Sequence, residues 1–293
     1  MDQFLGLLVA GLTSGAIYAL VAMSFSVIFA TTGVLNFAQG ELFMVGAMLC
    51  AVLLGDAGLP LPVGLVGTVL VTAALAVLEE RLAVRPALRH GRGAMSWVLA
   101  TLGFAIVLAA VFALVFSPRI RQPPPIVDDT PHTVLGLTVS LQQLSLIATA
   151  VVVAGLMVLF HRSTLVGVAM RAVAQDAEAA SMRSLPVSAL GAAAFAVSGA
   201  IVGLTGFLSA PLIGAYPAMG FAVALQGFIG AAVGGITSIT GAFVGGIALG
   251  VVEAFGSHLI GAGYRTAILF LVLIAVLAVR PAGLFGRLTA RAV

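Results

Sequence analysis

Long stretches without a charged residue limit what this chain can fold into more than any other feature. Because about 20 helical residues cross a hydrocarbon core of about 30 Å, a stretch of that length can span a bilayer. The last of the four stretches is long enough for about three crossings. They run from Asp2 to Glu41, from Arg92 to Arg119, from Asp129 to Arg162 and from Arg183 to Glu253.

Composition and pattern favour helices over a β-barrel. Of the 293 residues, 61% are hydrophobic and 8% are charged, against about 25% charged in an average soluble domain. The apolar runs are continuous, whereas barrel strands alternate apolar and polar residues. The first run has no basic residue before it and is too long for the apolar region of a cleaved signal. The sequence therefore predicts an all-α, polytopic transmembrane bundle in a single domain, residues 1–293, with a retained first helix.

Hydropathy predicts about nine spans, with eight or ten as alternatives if the glycine-rich region 234–241 re-enters the membrane instead of crossing it. With the N-terminus outside and the C-terminus cytoplasmic, ten arginines lie inside, in the loops 79–93 and 161–186 and in the tail from Arg280, and three lie outside. This excess agrees with the positive-inside rule. The predicted spans are about 5–30, 34–55, 60–78, 94–117, 141–160, 187–212, 220–236, 240–257 and 264–279.

Two connecting segments differ from the rest. The outer, periplasmic loop 117–140 holds three consecutive prolines, Pro123 to Pro125, so we expect it to be extended, water-facing and the largest candidate surface for an external partner. The inner segment from Thr164 to Ala180 has good helix formers and an amphipathic distribution. We expect it to form one short helix along the cytoplasmic face.

One polar cluster falls at the start of the second predicted span, in GVLNFAQGELFMVGA. It consists of Asn36, Gln39 and Glu41. An ionisable group inside a membrane segment costs several kcal/mol on insertion scales and is usually retained for a pathway or a partner. Two interpretations stay open: the cluster is part of a solute pathway or gate, or it anchors the chain at the inner interface.

Glu253 and Gln226 are further pathway candidates. Glu253 lies near the outer end of the eighth predicted span, where it can alternatively pair with Arg265 across a short turn. Gln226 in the seventh span, with Thr205 and Ser209 in the sixth, is weaker, since such residues commonly bond across helices. So few charges suit a small or partly apolar solute better than a polyanion or a metal ion.

Glycine spacing indicates close helix packing, with a role in gating as the alternative. A pair of small residues four positions apart lets two helices approach each other closely. Such pairs occur at Gly11 and Gly15, Gly199 and Gly203, Gly230 and Gly234, Gly241 and Gly245, and Gly246 and Gly250.

Enzymatic motifs are absent from the sequence. It contains no phosphate-binding loop of the Walker type and no HExxH, and Cys50 is the single cysteine. We therefore predict no catalytic residue, no bound cofactor and no metal. The formal charge of +3 is more typical of membrane topology than of nucleic-acid binding. Energy for active transport has to come from another chain or from an ion gradient.

Three blocks of the chain resemble the branched-chain amino-acid ABC permeases of the LivH type. The opening of that family is similar to GLTSGAIYALVAMSFSVIFATTGVLNFAQGELFMVGA, and its cytoplasmic coupling region is similar to TLVGVAMRAVAQDAEAASMRSLPV. Its C-terminal end is similar to GAAVGGITSITGAFVGGIALGVVEAF followed by VRPAGLFGR. Where the family usually has a glycine soon after the coupling segment, this chain has Ser184, which leaves the geometry of the helix exit open.

The resemblance implies a permease subunit of an ATP-driven importer in the bacterial plasma (inner) membrane. It also implies a second related permease, two cytoplasmic ATPase subunits that hold ATP and Mg²⁺, and a periplasmic solute-binding protein. By the same resemblance the helix 164–180 docks on an ATPase subunit, with Arg171, Asp176 and Glu178 as contacts; the alternative is an idle helix on lipid head groups. The implied coupling residues are Gly167, Arg171, Ala174, Asp176, Glu178, Ala179 and Ala180.

The cargo implied by the resemblance is branched-chain or other small hydrophobic amino acids. Urea, short amides and aromatic acids are alternatives, because relatives carry them too. A second class of function, an ion-coupled secondary transporter or channel, needs coupling-ion ligands or a selectivity ring in the membrane. Glu41 and Glu253 are the candidates for either.

Overall fold

The computed structural model describes residues 2–90, 94–116, 118–127, 132–134 and 137–286. Over these ranges the regular secondary structure is helical except for one small hairpin of β1 (His132–Val134) and β2 (Leu137–Val139). Short π-helical segments, Ala51–Asp56 and Glu80–Val84, continue the second and third helices. The α-helices are α1 (Asp2–Thr32), α2 (Gln39–Cys50), α3 (Leu61–Glu79), α4 (Arg85–His90), α5 (Ala94–Val115), α6 (Leu141–Ser163), α7 (Leu165–Gln175), α8 (Ala177–Met182), α9 (Val187–Ile213), α10 (Gly220–Gly234), α11 (Ile239–Ile260) and α12 (Arg265–Val279).

Helix length and hydropathy confirm the predicted polytopic helical bundle. Within the described ranges, eight helices are long and apolar enough to cross a membrane. The predicted span 220–236 is not among them. Its helix, α10, has 15 residues, about 22 Å at 1.5 Å per residue, and is too short to cross a hydrocarbon core alone.

Contacts between helices fix the direction in which each one crosses the bundle. α1 and α11 are antiparallel, because Phe4 lies beside Phe255 with ring centroids 5.2 Å apart, and Gly11 lies against Val251. We call the end of the bundle at Phe4 the first face, and the opposite end, at Thr32, the second face. α1 therefore runs from the first face to the second, and α11 returns.

α9 runs in the direction opposite to α1. Gly191, near the start of α9, lies beside Thr32 at the second face. Further along, the Ser198 hydroxyl donates to the Ser24 carbonyl at 3.0 Å. α9 therefore starts at the second face and ends at the first.

The chain turns back into the bundle after α1. Gly33 has a φ of +71°, a left-handed conformation that glycine adopts without steric cost. α2 then starts at Gln39, whose side chain bonds Ser198, the residue that also bonds Ser24 in α1. Ser24 precedes the end of α1 by eight residues, about 12 Å along a helix. α2 therefore starts inside the bundle and not at its surface.

A turn of the same kind follows α9. Gly214 has a φ of +75°, and α10 starts at Gly220, packed against Glu41 in the first turn of α2. α11 starts at the second face, so the chain between α9 and α11 has to cross the bundle. Residues 214–219 and α10 share this crossing, which explains why 220–236 is too short alone.

Together with the eight long helices, this shared crossing gives nine crossings over the described residues, which is the predicted number. The described parts of the segments predicted to lie inside, residues 79–90, 161–186 and 280–286, are all at the second face. The described part of the loop 117–140 lies at the first face. The identity of the second face as the cytoplasmic one stays a prediction, because it rests on the arginine distribution.

The two turns belong to two halves of opposite orientation. The first half contains α1, α2, α3 and α5, and the second contains α9, α10, α11 and α12. α1 packs on α10 and α11 of the second half, and α9 correspondingly packs on α2 and α3 of the first. Inverted repeats with broken helices at their interface are typical of transporter folds.

Glycines let these helices approach closely, as the spacing predicted. A Cβ on Gly15 would lie 2.8 Å from the Ile247 carbonyl oxygen, and one on Gly46 would lie 2.3 Å from that of Gly203. At Gly199 the corresponding distance to a backbone oxygen of α3 is 2.6 Å. Any side chain at these positions would push two helices apart.

The described part of the loop 117–140 is held to the bundle at a few points, but most of residues 118–127 are exposed and 122–125 have no regular structure, which agrees with an extended, water-facing loop. Arg121 pairs with Ala215 through two backbone hydrogen bonds of 2.9 and 2.8 Å. Gln142 accepts hydrogen bonds from two backbone N–H groups of the loop, and Pro123 is buried. These contacts satisfy backbone groups that the prolines leave without regular structure. Asp128 and Asp129 lie outside the described residues.

Candidate functional site

Two of the three residues of the predicted polar cluster lie at the centre of a buried hydrogen-bond network. Asn36 donates through Nδ2 to Glu79 Oε2 at 2.9 Å and to Gln39 Oε1 at 3.1 Å. Gln39 donates through Nε2 to the Ser198 hydroxyl, which donates to the Ser24 carbonyl. All five residues are fully buried. The network joins α1, α2, α3 and α9 at the turn that follows α1.

Asn36 also shapes the turn itself. Its Oδ1 accepts a hydrogen bond from the Ala38 N–H at 2.8 Å, the local bond by which asparagine mimics a backbone turn. The Ala38 carbonyl then accepts from Leu42 at 3.0 Å, which starts the ladder of α2. The same side chain therefore directs the backbone into α2 and holds α3 through Glu79.

Glu79 is a residue of this site that sequence reasoning missed. The prediction placed it in the inner loop 79–93, because it is followed by Glu80 and several arginines. In the structure α3 continues past it, and Glu80 pairs with Arg85 at 3.0 Å while Glu79 faces the bundle. Its Oε1 has no hydrogen-bond partner. An unpartnered acidic oxygen this deeply buried is costly and marks a candidate functional group.

Glu41 lies where the two broken helices meet. Its side chain is 8% exposed, and its Oε2 has no partner. A Cβ on Gly220, the first residue of α10, would lie 2.5 Å from this carboxylate, so any other residue there would displace the Glu41 side chain. Because the N-terminus of a helix carries partial positive charge, the start of α10 is a favourable place for a carboxylate. Glu41 therefore lies inside the bundle, and its role in a pathway or gate stays a prediction.

The remaining pathway candidates do not join this cluster. Thr205 and Ser209 donate to carbonyls of their own helix, Ile201 and Gly206, and not across helices. Gln226 is half-buried on α10. Glu253 pairs with Arg265, as the sequence allowed, in a separate region near the first face. Among the described side chains, no three histidine, cysteine, aspartate or glutamate residues gather as a metal site.

The predicted inner helix forms two helices and not one. Thr164 caps the start of α7, and its hydroxyl accepts from the Gly167 N–H at 3.0 Å. Asp176 breaks the segment: its φ is −157°, and its Oδ1 accepts from the N–H groups of Glu178 and Ala179 at 3.0 and 2.9 Å. Aspartate competes in this way with a continuous helix and caps a new one, α8.

The predicted coupling residues divide into an exposed set and a packing set. Arg171, Ala174, Asp176 and Glu178 are exposed at the second face, and Ala179 is half-buried. Gly167 and Ala180 are buried and unavailable to a partner. A Cβ on Gly167 would lie 2.3 Å from the Phe160 carbonyl oxygen, so this glycine holds α7 against the end of α6.

Ser184 occupies the position at which the resemblance led us to expect glycine. Its φ is +62°, the one positive φ among the described residues other than glycine. The Ser184 N–H donates to Ser181 and the Leu185 N–H donates to Ala180, at 3.0 and 3.1 Å. These two bonds form the left-handed C-cap that glycine usually provides. The helix exit therefore keeps the geometry of a glycine cap with a serine in it.

The fold and the cluster define a class: a multi-pass, helical membrane protein with two halves of opposite orientation, in which α2 and α10 start inside the bundle. The chain belongs to the family described as branched-chain amino acid transport system, permease component, whose model matches residues 7–277. This match confirms the resemblance inferred from the three sequence blocks.

Individual relatives agree over nearly the whole chain. The high-affinity branched-chain amino acid transport system permease protein BraD of Pseudomonas aeruginosa is 32% identical over 97% of this chain and 96% of its own length. The protein LivH of Salmonella typhimurium, described in the same words, is 30% identical with the same coverage. The probable branched-chain amino acid transport permease LivH of Methanocaldococcus jannaschii is 28% identical over 91% of this chain. No solved structure matches this chain.

Proposed function

We propose that this chain is a transmembrane permease subunit of an ATP-driven importer for branched-chain or other small hydrophobic amino acids. The observation that carries the proposal is the α7–α8 surface at the second face. This surface presents charged side chains and lies in the chain between α6 and α9, two helices that cross the bundle. A partner bound there can transmit movement to the bundle. The names of the relatives supply the cargo. Urea, short amides and aromatic acids stay alternatives for the cargo only.

The partners follow from the role of a permease component. A second related permease completes the pathway, two ATPase subunits bind ATP and Mg²⁺ at the second face, and a solute-binding protein docks at the first face. The excess of arginines around the second face supports its assignment to the cytoplasm. This chain then supplies no catalytic residue and binds no cofactor of its own.

Exposed apolar residues frame the charged side chains of the α7–α8 surface. Leu165 is 90% exposed at the start of α7, and Met182 is 77% exposed at the end of α8. Arg171 and Glu178 lie between them in the chain. Apolar anchors with charges between them are typical of a protein docking surface and give both affinity and orientation. A helix idle on lipid head groups does not need such a charge pattern.

The solute pathway of the proposal passes the polar cluster and Glu41. These residues lie where α2 and α10 start inside the bundle, the depth at which transporters with broken helices hold their solutes. Full burial of Asn36 and Gln39 corresponds to a closed state, in which the cluster acts as a gate. An ion-coupled secondary transporter is the less favoured reading, since the relatives are components of larger transport systems.

The test measures ATP hydrolysis in proteoliposomes that contain the chain with its candidate ATPase, second permease and binding protein. Leucine-loaded binding protein should stimulate hydrolysis in the unaltered assembly. The double charge reversal Arg171→Glu with Glu178→Arg should abolish the stimulation, because each altered side chain would then face a like charge on the ATPase.

The matched control is Arg89→Glu, a charge reversal on exposed α4 near the same face. It should leave the stimulation within about twofold, because exposed charges away from a contact contribute little. Uptake of leucine by this chain in liposomes without any ATPase would contradict the importer and favour an ion-coupled transporter. Stimulation by another solute alone would change only the cargo.

A further inference from the structure

An open groove of about 350 Å³ lies on the outer surface of the bundle between α3 and α9. Most of its wall is alanine, whose methyl group leaves space beside the larger side chains. The groove is therefore apolar along most of its length, with one charged residue in its wall. It is lined by Ala73, Ala74, Val77, Leu78, Arg81 and Ala196.

The contacts between α3 and α9 place the charged residue at one end of the groove. The two helices are antiparallel, because Gly64 of α3 lies beside Phe207 and Thr72 lies beside Gly203. Since α9 starts at the second face, α3 ends there. Arg81 follows the end of α3 and therefore lies at the second-face end of the groove.

The length of α3 places Arg81 at the depth of lipid head groups. α3 has 19 residues, Leu61–Glu79, about 28 Å at 1.5 Å per residue, which nearly matches a hydrocarbon core of about 30 Å. Val77 and Leu78 lie on α3 itself, and Leu78 is 44% exposed. The apolar part of the groove therefore faces acyl chains, and its charged end reaches the membrane surface.

The charge of Arg81 is not used inside the protein. The neighbouring Glu80 accepts two hydrogen bonds of 3.0 Å from Arg85, and Glu79 is buried in the bundle. Arg81 is exposed and forms no ion pair with another described residue. A guanidinium binds phosphate through two parallel N–H bonds. The groove thus ends in an available site for a phosphate.

We propose that this groove binds one anionic phospholipid, with its phosphate on Arg81 and an acyl chain along Ala74, Val77 and Leu78. Charge complementarity favours this occupant, because a zwitterionic lipid would bring a second positive group to the arginine. An apolar helix of another protein would fit the alanines, but it would leave Arg81 without a counter-charge. The inference is independent of the transport proposal, because it concerns lipid binding to this chain alone.

The charged end is tested with the purified full-length chain in detergent. Phosphatidylglycerol and phosphatidylcholine with the same acyl chains are added in equal amounts, and the lipid retained is measured by native mass spectrometry. The unaltered chain should retain phosphatidylglycerol about fivefold over phosphatidylcholine, and Arg81→Gln should lower this ratio by about threefold or more. The matched control is Arg162→Gln, which removes an exposed arginine from the last turn of α6 and should leave the ratio unchanged.

The apolar part is tested by filling it. Ala74→Leu places a larger side chain in the groove and should lower retention of both lipids by about threefold or more, because the acyl chain loses its contact with α3. The control is Ala110→Leu, the same enlargement on the exposed surface of α5, outside the groove. It should leave retention unchanged. Melting temperatures show that each variant is folded.

The combined result decides the proposal. Loss of the phosphatidylglycerol preference in Arg81→Gln, together with loss of retention in Ala74→Leu, supports the lipid site. Equal ratios for Arg81→Gln and Arg162→Gln would overturn it, and so would equal retention by Ala74→Leu and Ala110→Leu. If Ala74→Leu instead prevents co-purification of the second permease while lipid retention is unchanged, the groove holds a protein helix and the proposal is wrong.

Discussion

Gly40 and Gly220 are in direct contact: a Cβ on Gly40 would lie 2.0 Å from the Gly220 carbonyl oxygen. The two residues belong to the first turns of α2 and α10, one from each half of the protein. The contact lets both helices start beside each other inside the bundle and leaves no space for a side chain. The close approach of the two helix starts thus depends on two glycines.

Gly40→Ala should therefore force α2 and α10 apart. Overpacking of a dense interior typically costs about 1–3 kcal/mol, so we expect a clear fall in melting temperature and reduced leucine uptake by the assembled importer. The control is Gly155→Ala on α6, because a Cβ there meets nothing within 4 Å. It should be neutral or stabilise by up to about 1 kcal/mol through helix propensity. Equal melting temperatures for the two variants would contradict this role of the contact.

Asn36 and Glu79 should show strong energetic coupling. Replacing either by alanine leaves a buried polar group without its partner, at about 1–3 kcal/mol each. Because the 2.9 Å bond between them is lost in both single variants, the double variant should cost less than their sum. Equilibrium unfolding in a denaturing detergent measures the cycle.

The comparison pair for this cycle is Asn36→Ala with Ser257→Ala, whose hydroxyl bonds only within its own helix. Its effects should add within about 0.5 kcal/mol. Glu79→Gln offers a further check, since it keeps one acceptor oxygen for Asn36. It should be less destabilising than Glu79→Ala, and the reverse order would show that the Asn36 bond is not what Glu79 contributes.

Ser184→Gly should stabilise the protein. The left-handed conformation costs a residue other than glycine about 1–2 kcal/mol. Glycine removes this cost, but it also makes the unfolded chain more flexible, which offsets part of the gain. We expect a net gain of about 0.5–1 kcal/mol, seen as a higher melting temperature. The matched control is Ser181→Gly inside α8, which should destabilise because glycine there only lowers helix propensity. A fall in melting temperature for Ser184→Gly would be inconsistent with the C-cap.

Asp176→Ala should unfold α8 locally while the bundle stays intact. The side chain caps two N–H groups of this short helix, and loss of such a cap costs about 1 kcal/mol. Hydrogen exchange of residues 177–182 should become faster, and stimulation of ATP hydrolysis by the binding protein should fall. Asp176→Asn keeps the acceptor and should behave like the unaltered chain in exchange. Unchanged exchange in the alanine variant would argue against the cap.

Hydropathy was sufficient to predict the helical bundle but not its breaks. A continuous apolar run shows that a segment lies in the membrane, whereas the turns at Gly33 and Gly214 depend on a backbone conformation that many glycines of this chain do not adopt. The break at Asp176 was missed for a related reason. Its neighbours all favour a helix, and the decisive term is a side-chain bond to the backbone, which composition does not show.

The buried network was only half predictable. Asn36 and Gln39 were found because polar residues inside an apolar span are conspicuous. Glu79 was assigned to a loop, since it lies in a charged stretch. In the structure this stretch is helical and continues α3, so that Leu61–Arg89 forms one helix of 29 residues. Ser198 and Ser24 carried no signal at all, because hydroxyls of serine are common in membrane helices. Which side chains bond across helices can be seen only once the helices are placed in the fold.

Among the described helices that cross the bundle, α6 is the one that belongs to neither half. Each half contributes four crossings, an even number, so two copies joined end to end would enter the membrane the same way up. The additional crossing by α6 inverts the second copy, and only in that orientation can α2 and α10 start against each other. Removing α6 would therefore do more than delete a peripheral helix: it would turn half of the protein over relative to the membrane.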